Sequence, residues 1–150
     1  MSQSPEARTE LETLLNGAVE VAAERLEKDG EFDPFALALR YDGEVVQLEA
    51  DVEADSQLEP EAVVTSLRNA LRNARQEYKA VAVVADVTLE DENDQPMTAA
   101  IQISMEHEQD DPVNCYVPYE FEGKTLELAE LVGELGERHV FTVPTPSQPN

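Results

Sequence analysis

The sequence has one cysteine, no tryptophan and few basic residues, and these shortages exclude several classes of protein. A single cysteine excludes an internal disulfide and a metal cluster held by cysteines alone. The 10 lysine and arginine residues stand against 33 aspartate and glutamate residues, which gives a net charge of −23. Such a surface repels phosphate backbones and anionic membranes, so we expect no nucleic acid and no membrane among the partners. No apolar run reaches the ~18 residues that a membrane span needs.

The remaining composition is typical of one folded domain. A chain of 150 residues with 41% hydrophobic residues is long enough and apolar enough to bury a core. Residues 1–16 lack the basic and apolar regions of a secretory signal, so we predict a cytoplasmic protein. We expect one domain over 1–150, with a flexible leader at 1–4 and a flexible tail at 144–150.

Two segments show the apolar period of a helix. Ser4 and Pro5 are typical of a helix start, and Asp29 with Gly30 is typical of a helix end. A second helix is predicted to begin near Pro60. Each segment carries one apolar stripe, formed by Leu11, Leu14, Leu15, Ala18, Val19, Ala22 and Leu26 in the first and by Val63, Leu67, Ala70, Leu71, Ala74 and Tyr78 in the second.

Five other segments alternate as strands do. Asp42 and Gly43 lie between the first two, which predicts a hairpin. Segment 79–89 is apolar on both faces, so we place it centrally in a sheet. Pro118 lies within the last strand, which indicates an edge strand or a bulge. Segment 125–143 fits a helix or a strand.

The order α-β-β-α-β-β-β predicts an α+β fold. We expect a single-domain antiparallel sheet of about five strands with two helices packed on one face. The opposite face would be partly apolar and partly polar, as a binding or dimer surface is. It would carry Ala36, Ala38, Arg40, Thr98, Gln102, Ser104, Tyr116 and Glu120.

Glu106, His107 and Glu108 are the candidates for a metal site, because histidine and carboxylates are common metal ligands. Strand alternation places the two glutamates opposite the histidine, which favours a solvated surface instead. The acidic turn at 90–94 lacks the glycine and the final glutamate of a calcium loop. We therefore predict no cofactor and no catalytic residue.

Cys115 alternates with Val113 and Val117, a pattern that is typical of a buried and unreactive thiol.

Four basic residues provide the candidate partner-binding surface. Arg68, Arg72, Arg75 and Lys79 fall within about 60° of one another if they share one helix. One interpretation is that they dock an acidic partner or a second copy of the chain. The alternative is that they pair with the chain's own carboxylates. Tyr116, on the predicted open face, completes the set.

The acidity itself allows three interpretations: solubility, halophilic adaptation, or mimicry of an acidic ligand. We predict a non-enzymatic protein-binding or self-associating module, whose partner is a protein or another copy of itself. One alternative is an inhibitor, immunity protein or nucleic-acid mimic that acts on a basic partner. A second alternative is a small metal-dependent enzyme that uses carboxylates and His107.

Several short motifs resemble a group of uncharacterised small bacterial proteins, over roughly residues 11–121. The resemblance lies in Pro34-Phe35-Ala36, Asp42-Gly43, Ala85-Asp86-Val87, Ala100-Ile101 before Glu106-His107, and Pro118-Tyr119. It implies no activity. The order of helices and strands is also similar in outline to that of secretion chaperones, which is an analogy of fold alone.

Overall fold

The computed structural model describes residues 5–49, 60–89, 98–108, 110–137 and 140–141. These residues form two helices, seven strands and one short 3-10 turn at Arg75–Glu77. The helices and strands are α1 (Pro5–Asp29), β1 (Phe35–Arg40), β2 (Val45–Glu49), α2 (Pro60–Asn73), β3 (Tyr78–Leu89), β4 (Thr98–His107), β5 (Asp110–Glu122), β6 (Thr125–Leu128) and β7 (Val132–Leu135). Neither of the helices described is long and apolar enough to cross a membrane. The acidic turn at 90–94 and both predicted flexible ends lie outside the described residues.

The predictions for α1 and for the first hairpin are confirmed. Gly30 ends α1 with a φ of 82°, and its N–H donates to the carbonyl of Leu26 at 2.8 Å. Gly43 has a φ of 93° in the turn between β1 and β2. The carboxylate of Asp42 accepts the N–H of Glu44 at 2.9 Å, as aspartate does in tight turns.

All the strand pairs are antiparallel, and the strand order is β2-β1-β3-β4-β5-β6, with β7 also paired to β5. The predicted count of about five strands is wrong, and the predicted order stops two strands short. The extra strands, β6 and β7, come from the ambiguous segment 125–143, whose helical interpretation is therefore wrong over Thr125–Leu128 and Val132–Leu135. Gly123, with a φ of 67°, allows the turn from β5 into β6.

The helices lie on opposite faces of the sheet, so the prediction that both pack on one face is wrong. β2 and β3 are parallel to each other because each pairs antiparallel with β1, which lies between them. The connection from β2 to β3 must therefore cross over β1, and α2 makes this crossover. It covers the face opposite to α1.

Two separate apolar cores result, one under each helix. The α1 core contains the odd-numbered residues of β1, β4 and β5, and the α2 core contains even-numbered residues of β1. Ala36 and Ala38, predicted on an open face, are thus buried under α2. The α1 core includes Leu14, Leu26, Phe35, Leu37, Val84, Ile101, Ile103, Cys115 and Val117, and the α2 core includes Val63, Leu67, Leu71, Val81, Val83, Val140 and Phe141.

β3 is central, as predicted, but β5 is not an edge strand. β4 lies on one side of β5, and β6 and β7 lie in succession on the other. Pro118 has no N–H to donate, and it is tolerated because it lies opposite the gap between β6 and β7, beyond the residues of β5 that pair with either strand. Its carbonyl still accepts the N–H of Ala129 at 2.7 Å.

Candidate functional site

β6 and β7 form one outer edge of the sheet. β6 pairs with Tyr119–Glu122 of β5, and β7 pairs with Val113–Tyr116. Within the described part of the chain, no further strand pairs with the outer side of either one. An edge of this kind presents backbone N–H and C=O groups in a row, and another strand can pair with them.

Exposed apolar side chains are concentrated along this edge. Among the described residues, four of the seven exposed large hydrophobic side chains lie between 128 and 135. A local concentration of exposed apolar side chains is typical of an interaction surface, whereas scattered single residues are not. The four are Leu128 at 43% exposure, Leu131 at 40%, Val132 at 57% and Leu135 at 77%. With Glu127, Glu130, Glu134 and Glu137, which are also exposed, they form what we call the acidic–apolar edge.

The backbone approaches β5 closely just after the end of β7, at Gly136. Gly136 donates its N–H to the carbonyl of Pro112 at 3.0 Å. A Cβ at this position would lie 3.2 Å from the carbonyl carbon of Val113 and 3.3 Å from the amide nitrogen of Asn114. Only glycine therefore allows this close approach without a backbone shift.

A polar groove of about 330 Å³ lies beside β7 on the α2 side of the sheet. Ser104 donates to the side-chain oxygen of Asn114 at 2.6 Å, and the amide of Gln102 donates to the hydroxyl of Tyr116 at 3.2 Å. The Tyr116 hydroxyl also reaches Glu134 of β7 at 3.5 Å. The groove therefore joins the acidic–apolar edge to the polar part of the sheet face that α2 leaves uncovered.

Arg68 lines this groove from α2 and is half-buried. Burial lowers the pKa of its guanidinium group, and the carboxylates of Glu106 and Glu137 act in the opposite direction. The positive charge of Arg68 thus interacts with carboxylates of its own chain. This agrees with the alternative interpretation, in which the basic residues pair with the chain's own carboxylates.

Two of the other three basic candidates, Arg75 and Lys79, lie outside the helix that carries Arg68 and Arg72. α2 ends at Asn73, so the prediction that all four lie on one helix is wrong. Arg75 follows the end of α2 and donates to the carbonyl of Arg72 at 2.7 Å. Lys79 lies in β3 and forms an ion pair of 2.6 Å with Glu10 of α1, on the other face of the sheet.

Glu106 and His107 are buried and point to opposite faces. The carboxylate of Glu106, 5% exposed, accepts the backbone N–H of Val140 at 3.0 and 3.1 Å and that of Phe141 at 3.0 Å. His107, 1% exposed, places Nε2 2.8 Å from Glu10. The predicted solvated surface is therefore wrong for both residues, because each has a charged or polar partner inside the fold.

Glu108, the third metal candidate, contacts a different partner from Glu106 and His107. Glu108 is exposed and accepts a hydrogen bond from the hydroxyl of Tyr41. This contact raises the pKa of Tyr41 to about 12. No cluster of three or more possible metal ligands occurs among the residues that the structure describes.

Cys115 is buried in the α1 core, as the alternation predicted. Burial raises the pKa of its thiol, which disfavours the reactive thiolate.

The chain matches no known family model, no curated protein and no solved structure.

Sequence reasoning missed the acidic–apolar edge, although the signal was present. Leu128, Leu131, Val132 and Leu135 recur among glutamates with too much glycine for a stable helix. Of the predicted partner-binding residues, Arg68 lines the groove and Tyr116 adjoins it.

Proposed function

We propose that this chain is a non-enzymatic protein-binding module that docks its partner on the acidic–apolar edge and the adjoining groove. The observation that carries the proposal is the set of four exposed apolar side chains on or beside β6 and β7, two strands whose outer sides pair with no other strand among the described residues. Burying these side chains would remove apolar surface from water, which drives most protein association.

A second candidate is an inhibitor that blocks a basic partner. The charge of the edge favours it, because residues 120–137 contain six glutamates and one lysine. Acidic side chains around an apolar contact speed the encounter with a basic surface and select for it. The two candidates share the docking surface and differ in whether docking also suppresses an activity of the partner.

Position-specific photo-cross-linking in a native lysate tests the docking surface. A benzophenone side chain is placed at Leu135 or, as the matched control, at Val45, which is also exposed and apolar but lies on the opposite sheet edge. We expect one protein to be cross-linked from position 135, with loss of that product when Val132→Lys is added. Equal products from both positions, or none from position 135, would contradict the proposal.

A further inference from the structure

We infer that the occupant of the acidic–apolar edge is an extended segment of a partner protein in which basic and apolar residues alternate, added beside β7 as a further strand. The inference rests on the proposed function. It names the chemistry and the binding mode of the partner.

The backbone of β7 presents hydrogen-bonding groups outwards. Gly136 donates to Pro112 on the β5 side. In an antiparallel pair the direction of these groups alternates along the strand, so Gly133 and Leu135 turn their N–H and C=O groups away from β5. An incoming strand can pair with both residues, and main-chain pairing of this kind gives affinity in strand addition.

The two faces of β7 differ in chemistry. Glu134 pairs with Asn114 and lies on the groove side, together with Val132. Leu135 pairs with Val113, whose side chain packs against the α1 core, and so lies on the other side. A strand placed beside β7 therefore meets a carboxylate on one face and leucine on the other, which matches alternating basic and apolar side chains.

Charge distinguishes this occupant from a second copy of the chain. Pairing of two β7 strands would bring Glu134 of both copies to one seam, with Glu130 and Glu137 close to its ends, and like charges across a strand pair are destabilising. The net charge of −23 on each copy adds repulsion. Lysine or arginine in the incoming strand neutralises the same glutamates.

The test uses the full chain and three labelled peptides of eight residues. The first alternates lysine and valine, the second has the same composition in two blocks, and the third is the first with N-methylated backbone amides. Fluorescence anisotropy measures the dissociation constants. We expect the alternating peptide to bind at least tenfold more tightly than either of the others, because only it has both the correct face pattern and free N–H donors.

Two charge-reversal variants locate the contact. Glu134→Lys is expected to weaken binding of the alternating peptide about tenfold. Glu44→Lys makes the same change in net charge at an exposed position of the β1–β2 turn and is expected to leave binding unchanged. Equal binding of the three peptides, or equal loss in the two variants, would show charge attraction without strand addition and would overturn the inference.

The outcomes also separate this inference from the proposed function. Cross-linking from position 135 to a partner protein, combined with no binding of the alternating peptide, overturns the inference and leaves the docking surface in place. Cross-linking to a second copy, with a dimer in sedimentation, replaces the inferred occupant by the chain itself. Absence of any cross-link from position 135 contradicts the proposed function.

Discussion

Replacement of Glu106 by glutamine tests how the segment at Val140 and Phe141 is held against the sheet. The carboxylate of Glu106 accepts both backbone N–H groups, and all three side chains are buried. Glutamine keeps the shape of the side chain but removes its charge, and it places an amide donor beside another donor.

The expected magnitude follows from these contacts. A hydrogen bond to a charged group contributes about 1.5–3 kcal/mol, whereas a bond between neutral groups contributes about 0.5–1.5 kcal/mol. With two backbone donors affected, we expect Glu106→Gln to lower the free energy of unfolding by about 2 kcal/mol. For a urea slope of about 2 kcal/mol/M, the midpoint falls by about 1 M.

Glu120→Gln is the matched control, since Glu120 is exposed on β5 and its replacement makes the same change in net charge. The assay is urea unfolding of both variants, followed by amide hydrogen exchange at Val140 and Phe141. Faster exchange at these two amides is expected in Glu106→Gln alone. The reasoning is refuted if the two variants share the same midpoint and the two amides exchange as in the unaltered chain.

Three further predictions concern other contacts. Burial raises the pKa of Glu10, but the hydrogen bonds from His107 and Lys79 outweigh burial and hold this pKa below its ordinary value of 4.5. The ionised carboxylate therefore stabilises the folded state, and this contribution is lost as the pH falls below 4.5. Glu10→Gln should therefore cost about 1–3 kcal/mol at pH 7, and this difference from the unaltered chain should shrink as pH falls below 4.5 in urea titrations, whereas exposed Glu12→Gln should show neither effect. Gly136→Ala should lower the free energy of unfolding by about 1–3 kcal/mol, and Gly133→Ala should change it less, because a Cβ at 133 meets nothing closer than 3.9 Å. The melting temperature should rise with KCl concentration, because the Debye length falls from about 10 Å at 0.1 M to about 3 Å at 1 M and repulsion between the carboxylates is screened. A melting temperature that decreases with KCl would count against charge repulsion within the fold.

The regular parts of the fold could be predicted from the sequence because their signals are local. The stripe that includes Leu14, Ala18 and Leu26, and the strand alternation around Ile101 and Ile103, each follow from one element meeting one core. The turn at Asp42 and Gly43 likewise depends on neighbouring residues alone.

The placement of α2 could not be read from local pattern because it depends on which strands pair. The relevant signal was the apolar character of both faces of β3, which requires cover on each side. That signal located β3 correctly at the centre of the sheet. Its second consequence, a helix on each face, becomes visible only once β1 is known to lie between β2 and β3.

The candidate site was harder to predict because its residues are defined by exposure. Helical spacing predicted that Arg75 and Lys79 share one helix face with Arg68, but α2 ends at Asn73. The acidic–apolar edge appeared as an ambiguous segment, since short strands interrupted by glycine have weak period signals. Which of its side chains are exposed depends on their pairing with β5.

Amide hydrogen exchange of the full chain, with and without the alternating lysine–valine peptide at saturation, tests the central claim most directly. The account predicts slower exchange at Gly133 and Leu135, the two residues whose backbone groups turn away from β5, and unchanged exchange along β2 at the opposite edge. Slower exchange along β2, or no change at either edge, would contradict it.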